Sequence, residues 1–318
     1  MYIVTGGAGF IGSQVAKHLN DNGIDQILIV DRLESDEKYK NLIGLDFEDY
    51  VDKEAFIKLL TQGKFTKKVK AIIHMGACSA TTELDASYLM ENNYQYSKAL
   101  AVWSMENNAR YIYASSAATY GDGEQGYSDE AKLRTLKPLN PYGYSKYAFD
   151  LWVEKHGLLD KTVGLKFFNV YGPGEDHKDD MRSVVNKAFD QITESGKVKL
   201  FRSHKPKFED GMQLRDFIYV KDAVNVIQFF LSNPKKNGIF NVGTGQARAF
   251  KDLVTATFNA MDIETNIEYI DMPNQLRDKY QYYTQAEMNK LNQAGYSAPF
   301  QSLEEGVSDY VKNYLMKR

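Results

Sequence analysis

Cysteine is almost absent from this 318-residue chain. Cys78 stands alone, so no internal disulfide can form, and the sequence suits a reducing compartment. No apolar run approaches the roughly 20 residues that a membrane-spanning helix needs. Neither charge is in surplus: 39 Lys and Arg against 42 Asp and Glu leave a formal net charge of -3. That balance argues against nucleic acid or a membrane surface as the main partner, while permitting a local basic pocket for phosphates. Five histidines, His18, His74, His156, His177 and His204, are scattered without metal-ligand spacing, so no metal site is expected. The opening Met1-Tyr2-Ile3-Val4-Thr5 reads as a strand, not as a secretory leader, which points to the cytoplasm.

What is present is ordinary globular material, 43% hydrophobic and 25% charged. Short apolar runs at Tyr2–Thr5, Gln26–Asp31, Ala71–His74, Arg110–Ala114 and Thr162–Phe168 read as buried strands. Helical patterns separate them at Gly12–Asn22, Asp52–Leu60 and Leu84–Asn107, with another beginning near Tyr142. This alternation predicts an α/β fold, a doubly wound parallel sheet of Rossmann type. Beyond Gly172 the pattern loosens. Helices are expected at Met181–Thr193, Val220–Leu231, Asp252–Met261, Thr284–Gln293 and Ser302–Leu315, and a strand at Gly238–Val242. The expected organisation is a dinucleotide-binding domain over residues 1–169, to which 216–247 returns. A smaller mixed α/β substrate lobe would comprise 170–215 and 248–318.

The strongest local signal is Thr5-Gly6-Gly7-Ala8-Gly9-Phe10-Ile11-Gly12, which follows a strand and opens a helix. In that context Gly6 permits the turn, Gly9 lets backbone approach a pyrophosphate, and Gly12 allows close helix–sheet packing. The helix start offers unpaired N–H groups and about half a positive charge to the phosphates. Asp31 ends the second strand, where a carboxylate can accept from the adenosine ribose and would favour NAD. Arg32 and Lys38 follow closely and could pair with a 2′-phosphate, so these residues leave NAD and NADP open. Met75-Gly76-Ala77-Cys78-Ser79 closes another strand with small residues suited to a cofactor wall.

Tyr142-Gly143-Tyr144-Ser145-Lys146 sets Tyr142 and Lys146 four apart, on one helix face. Alone, Tyr-x-x-x-Lys is more often two surface residues. Downstream of a matching glycine turn it reads as a catalytic pair. A tyrosine with a pKa near ~10 is a poor base, and a neighbouring ammonium and an oxidised nicotinamide are expected to lower it. Ser115 and Ser116 end the strand that starts at Arg110, at the sheet edge where ligands bind. Ser116 could hold the reacting alcohol beside Tyr142.

Together these residues resemble the extended short-chain dehydrogenase/reductase family, which acts on nucleotide sugars. Asn92-Asn93-Tyr94-Gln95-Tyr96-Ser97-Lys98, Tyr113 to Gly121, Phe168 to Pro173, His177-Lys178, Arg215 to Val220, Phe240 to Gly245 and Tyr280-Gln281 narrow the likeness to its ADP-heptose 6-epimerase branch. The resemblance implies NADP held by Phe10, Ile11, Asp31, Arg32, Lys38, Lys53, Asn92, Lys146, Val170 and Lys178, with Met75, Gly76, Ala77, Cys78 and Ser79 as one wall. It implies Tyr142 and Lys178 as two acid/base residues supported by Ser116. Substrate contacts would come from Asn169, Asp180, Lys187, Phe201, Arg202, Ser203, His204, Arg215 and Tyr280. The implied partners are an ADP-heptose substrate and further copies of the chain, as a homo-oligomer, commonly a pentamer. Met75 stands where an acidic residue is usual in that branch. Asp180 stands where serine is common, which asks for an offsetting Lys178 or Lys187. The rivals are a 4-epimerase or 4,6-dehydratase of the same superfamily and, remotely, a non-catalytic dinucleotide sensor.

Overall fold

The computed structural model of the chain describes residues 1–34, 37–277 and 280–318. Strands β1 (Tyr2–Thr5), β2 (Ile27–Asp31), β3 (Asp49–Asp52), β4 (Ala71–His74), β5 (Arg110–Ser116) and β6 (Thr162–Phe167) alternate with helices. These helices are α1 (Phe10–Asp21), α2 (Lys53–Thr61), α3 (Ala86–Leu89), α4 (Tyr96–Glu106) and α5 (Pro141–Lys155). Then follow β7 (Asn169–Tyr171), α6 (Val184–Ser195), β8 (Val198–Phe201), β9 (Leu214–Tyr219), α7 (Val220–Ser232) and β10 (Gly238–Val242). The chain ends with β11 (Ala247–Ala249), α8 (Phe250–Ala260), β12 (Ile267–Ile270), α9 (Asn274–Arg277), α10 (Asn289–Gln293) and α11 (Leu303–Asn313).

Seven strands make one parallel sheet in the order β10-β6-β5-β4-β1-β2-β3. Its inner strands are mostly apolar and buried because helices cover both faces, whereas the edge strand β3 is polar. Ile3, Leu28, Val30, Ile72, Tyr111 and Tyr113 meet Phe56, Leu100 and Phe149 of α2, α4 and α5. Their neighbours Val4, Ile29, Ile73 and Ile112 turn to the other face, against Val15 and Leu19 of α1 and Ile227 and Phe230 of α7. Each such side chain contributes roughly 1.5–3 kcal/mol by leaving water. From β1 the chain steps outward through β2 to β3, then jumps to β4 and runs the opposite way. The crevice at this switch of direction lies at the carboxyl ends of β1 and β4.

Two small sheets, β11-β9-β7 and β12-β8, lie outside the main one. A separate core joins Val185, Val198, Leu253, Phe258, Val307 and Tyr310 to Phe217 and Tyr219 of β9, and Phe10 at the start of α1 packs into it. The glycine turn therefore touches both cores. Among the described residues no helix is long and apolar enough to cross a membrane.

Three expectations are corrected. The helix expected over Leu84–Asn107 is interrupted by a π turn at Met90–Gln95, whose extra residue per turn accompanies the inward placement of Asn93. Of Thr284–Gln293 only Asn289–Gln293 is helical. The segment before it serves tertiary pairing instead: Thr284 N donates to Leu214 O and Glu287 N to Tyr127 O. α6 starts at Val184, not Met181, because Ser183 Oγ accepts from Asn186 N at 3.3 Å and caps it.

Candidate active site

The crevice is shaped first by backbone. Gly6 has φ +65°, and a Cβ there would lie 2.6 Å from Gly76 Cα, so the ends of β1 and β4 close on each other. A Cβ on Gly12 would sit 2.0 Å from Gly6 O. Gly12 thus lets the first turn of α1 press on the glycine loop itself; the expected contact was with the sheet. Among the described residues no side chain caps α1 and no acidic residue occupies its first turn, which leaves its N–H groups and dipole for an anion. A close-approach cradle beside an uncapped helix fits a dinucleotide pyrophosphate.

At one end of the trough Asp31 already works as a structural acceptor. Its Oδ2 accepts from Ala8 N at 2.9 Å, and its Oδ1 accepts from Arg32 N at 2.7 Å and pairs with Lys38 Nζ at 3.3 Å. Arg32 Nε pairs with Glu34 at 2.9 Å. Lys53, Asn92, Tyr88 and Tyr96 complete this end. Gly9, Phe10, Ile11 and the Met75–Ser79 wall line the middle, where Lys178 enters. Every residue expected at the cofactor lies along this trough, through to Lys146 and Val170 at the far end.

That far end is a cleft of about 340 Å³ in which Ser116, Tyr142, Lys146 and Lys178 come together. α5 starts at Pro141 with Asn140 Oδ1 accepting from Gly143 N at 2.7 Å, which fixes the turn carrying Tyr142. Ser116 Oγ accepts from Ala118 N at 3.1 Å, leaving its own proton for the Tyr142 oxygen. Burial pushes the Tyr142 hydroxyl above the ordinary tyrosine range, and the Ser116 hydrogen bond offsets only part of this. This is opposite to the expected lowering. Lys146 is itself desolvated, down to about 8, and its Nζ donates to Ala114 O at 2.9 Å. Lys178 is likewise lowered by burial, with Glu175 opposing, and its ammonium lies 5.6 Å from the Phe10 ring centre.

Behind these groups stand polar residues for which no site role was expected. His74 is fully desolvated, its pKa down to about 3. Ser97 Oγ donates its single proton to Asn93 O, so it must accept from His74 Nε2 at 2.8 Å; Nδ1 then accepts from the Thr5 hydroxyl at 2.6 Å. Asn93 pins the cofactor wall: its Oδ1 accepts from Cys78 N at 2.8 Å, and its Nδ2 donates to Cys78 O and Ser145 Oγ, both at 3.0 Å. Asp150, wholly buried on α5, accepts from Tyr113 at 3.0 Å and Ser115 at 2.8 Å and pairs with Lys166 of β6 at 3.3 Å. Lys166 Nζ also donates to Thr119 Oγ1 at 2.6 Å. Asp150 lies one turn beyond Lys146, a spacing readable from sequence; Lys166 lies within the strand expected at Thr162–Phe168.

Substrate expectations divide. Asn169 and Arg215 line the cleft, with Gln281 and Thr284, which were not expected there. Arg215 is nine-tenths buried, stacked 5.3 Å from the Tyr280 ring centre. Tyr280, Lys187 and Phe201 line a separate cavity of about 620 Å³ between α6 and β8. Arg202, Ser203, His204 and Asp180 line neither. Arg202 pairs with Asp210 and Asp271, Ser203 N donates to Asp210, and His204 binds Tyr282. Lys187 meets Asp180 through the backbone carbonyl at 2.5 Å, so the offset expected for the Asp180 carboxylate is not made there.

The chain matches the NAD dependent epimerase/dehydratase family over residues 2–243. It is 57% identical to the ADP-L-glycero-D-manno-heptose-6-epimerase of Nitratidesulfovibrio vulgaris strain DP4, covering 99% of this chain and 98% of that protein. It is 50% identical to the protein of the same name from Fusobacterium nucleatum, over 100% and 98%. A crystal structure of Helicobacter pylori ADP-L-glycero-D-manno-heptose-6-epimerase superposes with a TM-score of 0.83 at 30% identity, covering 98% of this chain and 95% of that one. The glycine cradle at the sheet's switch point and the Ser116–Tyr142–Lys146 group thus sit in a chain that belongs to the NAD dependent epimerase/dehydratase family.

Proposed function

We propose that this chain interconverts the two C6 epimers of ADP-glycero-D-manno-heptose, with NADP held along the trough. The observation that carries the reading is the convergence of two desolvated acid/base groups, Tyr142 and Lys178, from separate segments on one cleft at the trough's end. When bound, the dinucleotide supplies reversible acceptance of a hydride from C6, and its charged oxidised ring adds the cation that Tyr142 otherwise lacks. The residues do the rest. For one epimer the C6 hydroxyl proton would pass to Tyr142 in its phenolate form, held by Ser116; for the other it would pass to Lys178 Nζ in its neutral form, which its burial favours. The resulting aldehyde is exocyclic, so rotation about a single C–C bond turns its other face while the sugar and diphosphate stay bound. The hydroxyl has then moved, which is why a second group is required.

Arg215, desolvated and free of any carboxylate partner among the described residues, suits the diphosphate, and the cavity holding Lys187 and Tyr280 suits the adenosine. Arg32 and Lys38 favour NADP over NAD. The described lining of the reacting cleft carries no Asp or Glu, which weighs against water elimination by a carboxylate pair as in a dehydratase. Exposed Val102, Leu139 and Tyr144 suit contacts between copies of the chain, in keeping with a homo-oligomer, commonly a pentamer in this branch. The lone cysteine fits the cytoplasm.

The test is Tyr142→Phe and Lys178→Met, each given both epimers. Each variant should lose interconversion by at least about a hundredfold while still reducing bound NADP with the epimer served by its remaining group. Interconversion by Lys178→Met at the parent rate would sink the two-group reading.

A further inference from the structure

Lys178 rides on a strap between β7 and α6 that is held from several sides, among them its Asp176 carboxylate by Asn186 and Arg318 and its Asp180 carbonyl by Lys187. From within, the buried Glu175 carboxylate accepts from Gly172 N at 3.4 Å, Ser183 N at 2.6 Å and Ser183 Oγ at 2.7 Å. Lys178 N then donates to Glu175 O at 3.0 Å. From the side of the nucleotide-binding sheet, the Asn41 side chain reaches the strap. Its Nδ2 donates to Gly174 O at 2.9 Å and to Ala8 O, in the glycine turn, at 2.9 Å. His177 Nδ1 lies 3.4 Å from the same nitrogen. Asn41 belongs to the short 3₁₀ turn Glu37–Leu42, three residues after Lys38. In such a turn, side chains three apart lie on one side. Lys38 pairs with Asp31 at the adenosine end of the trough. One amide therefore ties the loop that carries Lys38, the glycine turn and the strap that carries Lys178.

We propose that Asn41 is a positioning residue: it sets the Lys178 strap against the cofactor turn, so that the adenosine-binding loop and one of the two proton-transfer groups move as one body. The inference rests on the reading of Lys178 as the acid/base group for one epimer. Loss of the amide loosens the strap at Gly174, which sits at φ +97° and has no side chain of its own to hold it. A shift near 1 Å at Lys178 costs on the order of a hundredfold in proton transfer. Tyr142, held at the start of α5 by Asn140 and by the Ser116 hydroxyl, is untouched.

The experiment uses the NADP-loaded full chain and follows reduced nicotinamide absorbance in a single turnover with each C6 epimer separately. The variants are Asn41→Ala and Asn41→Asp, the latter keeping the shape without donor hydrogens, beside Lys178→Met. The expected result is that both Asn41 variants slow, by one to two orders of magnitude, only the epimer that Lys178→Met slows, leaving the other within about twofold. Slowing of both epimers alike, or of neither, in variants that melt with the parent would overturn the proposal. If instead Lys178→Met shows no bias between epimers, the two-group reading itself fails, whatever Asn41 does.

Discussion

His74 illustrates how a single residue can hold the crevice together and also carry a cost in acid. Both ring nitrogens are engaged, Nε2 with Ser97 and Nδ1 with Thr5, and the latter hydroxyl also accepts from Gly76 N at 3.4 Å. The ring so joins β1, β4 and α4 directly beneath the Gly6–Gly76 approach. It must stay neutral, because protonating Nδ1 would turn an acceptor into a second donor facing Thr5. Burial holds its pKa at about 3, against an ordinary 6.5. Between those values the unfolded chain binds a proton that the native one refuses. Stability present above pH 6.5 is thus lost progressively as pH falls toward 3, by up to ~1.4 kcal/mol per pH unit from this group. Melting curves from pH 7 to 4 should fall less steeply for His74→Gln than for the parent. Parallel curves would show that the native ring takes up its proton as readily as the unfolded chain does.

At the scale of elements, α5 and β5 are joined by charge as well as by apolar packing. Asp150 receives Tyr113 and Ser115 from β5, and Lys166 from β6 reaches both Asp150 and Thr119, whose hydroxyl donates to Ser116 O at 2.8 Å. The helix bearing Tyr142 and Lys146 is so tied to the strand end bearing Ser116. Asp150→Ala leaves a buried ammonium unpaired and should cost about 3–5 kcal/mol, read from denaturant unfolding. Asp150→Leu combined with Lys166→Met should recover most of that stability without recovering kcat, since the polar tie to Ser115 is gone. Full activity in the stable double variant would confine the network to a packing role. This tie is also where sequence reading stopped short. Strands buried on both faces, such as Ile27–Asp31 and Ala71–His74, announce themselves as apolar runs, and a glycine turn between strand and helix announces the cofactor. Asp49–Asp52 is polar and lies at the sheet edge, and the three-residue β7 and β11 offer too few positions for any alternation. Lys166 inside an apolar run signals nothing until Asp150 and Thr119, distant in sequence, are brought to it.

For the whole molecule, the trough crosses between parts that fold around different cores. β1, β4 and β2, which ends at Asp31, belong to the main sheet; Phe10 packs into the second core, and Lys178 enters from the strap beyond β7. The individual trough residues were legible, because glycine turn, Asp31 and Tyr-x-x-x-Lys each carry their chemistry in short range. The assembly by Asn41, Asn93 and His74 was not, since an isolated Asn or His has many equally good uses. A ligand that spans these parts binds only the native state and must stabilise it as a unit, by about 2.7 kcal/mol at a hundred times its dissociation constant. NADP should therefore raise Tm more than NAD does at equal concentration. The difference should come from Arg32 and Lys38, now paired with Glu34 and Asp31 and placed where a 2′-phosphate would compete for them. In Arg32→Ala/Lys38→Ala the NADP shift should shrink to that of NAD, while the NAD shift stays close to the parent's. Equal loss for both nucleotides, in melting curves or calorimetric titration, would mean that the two cations hold the loop in shape and do not read the phosphate.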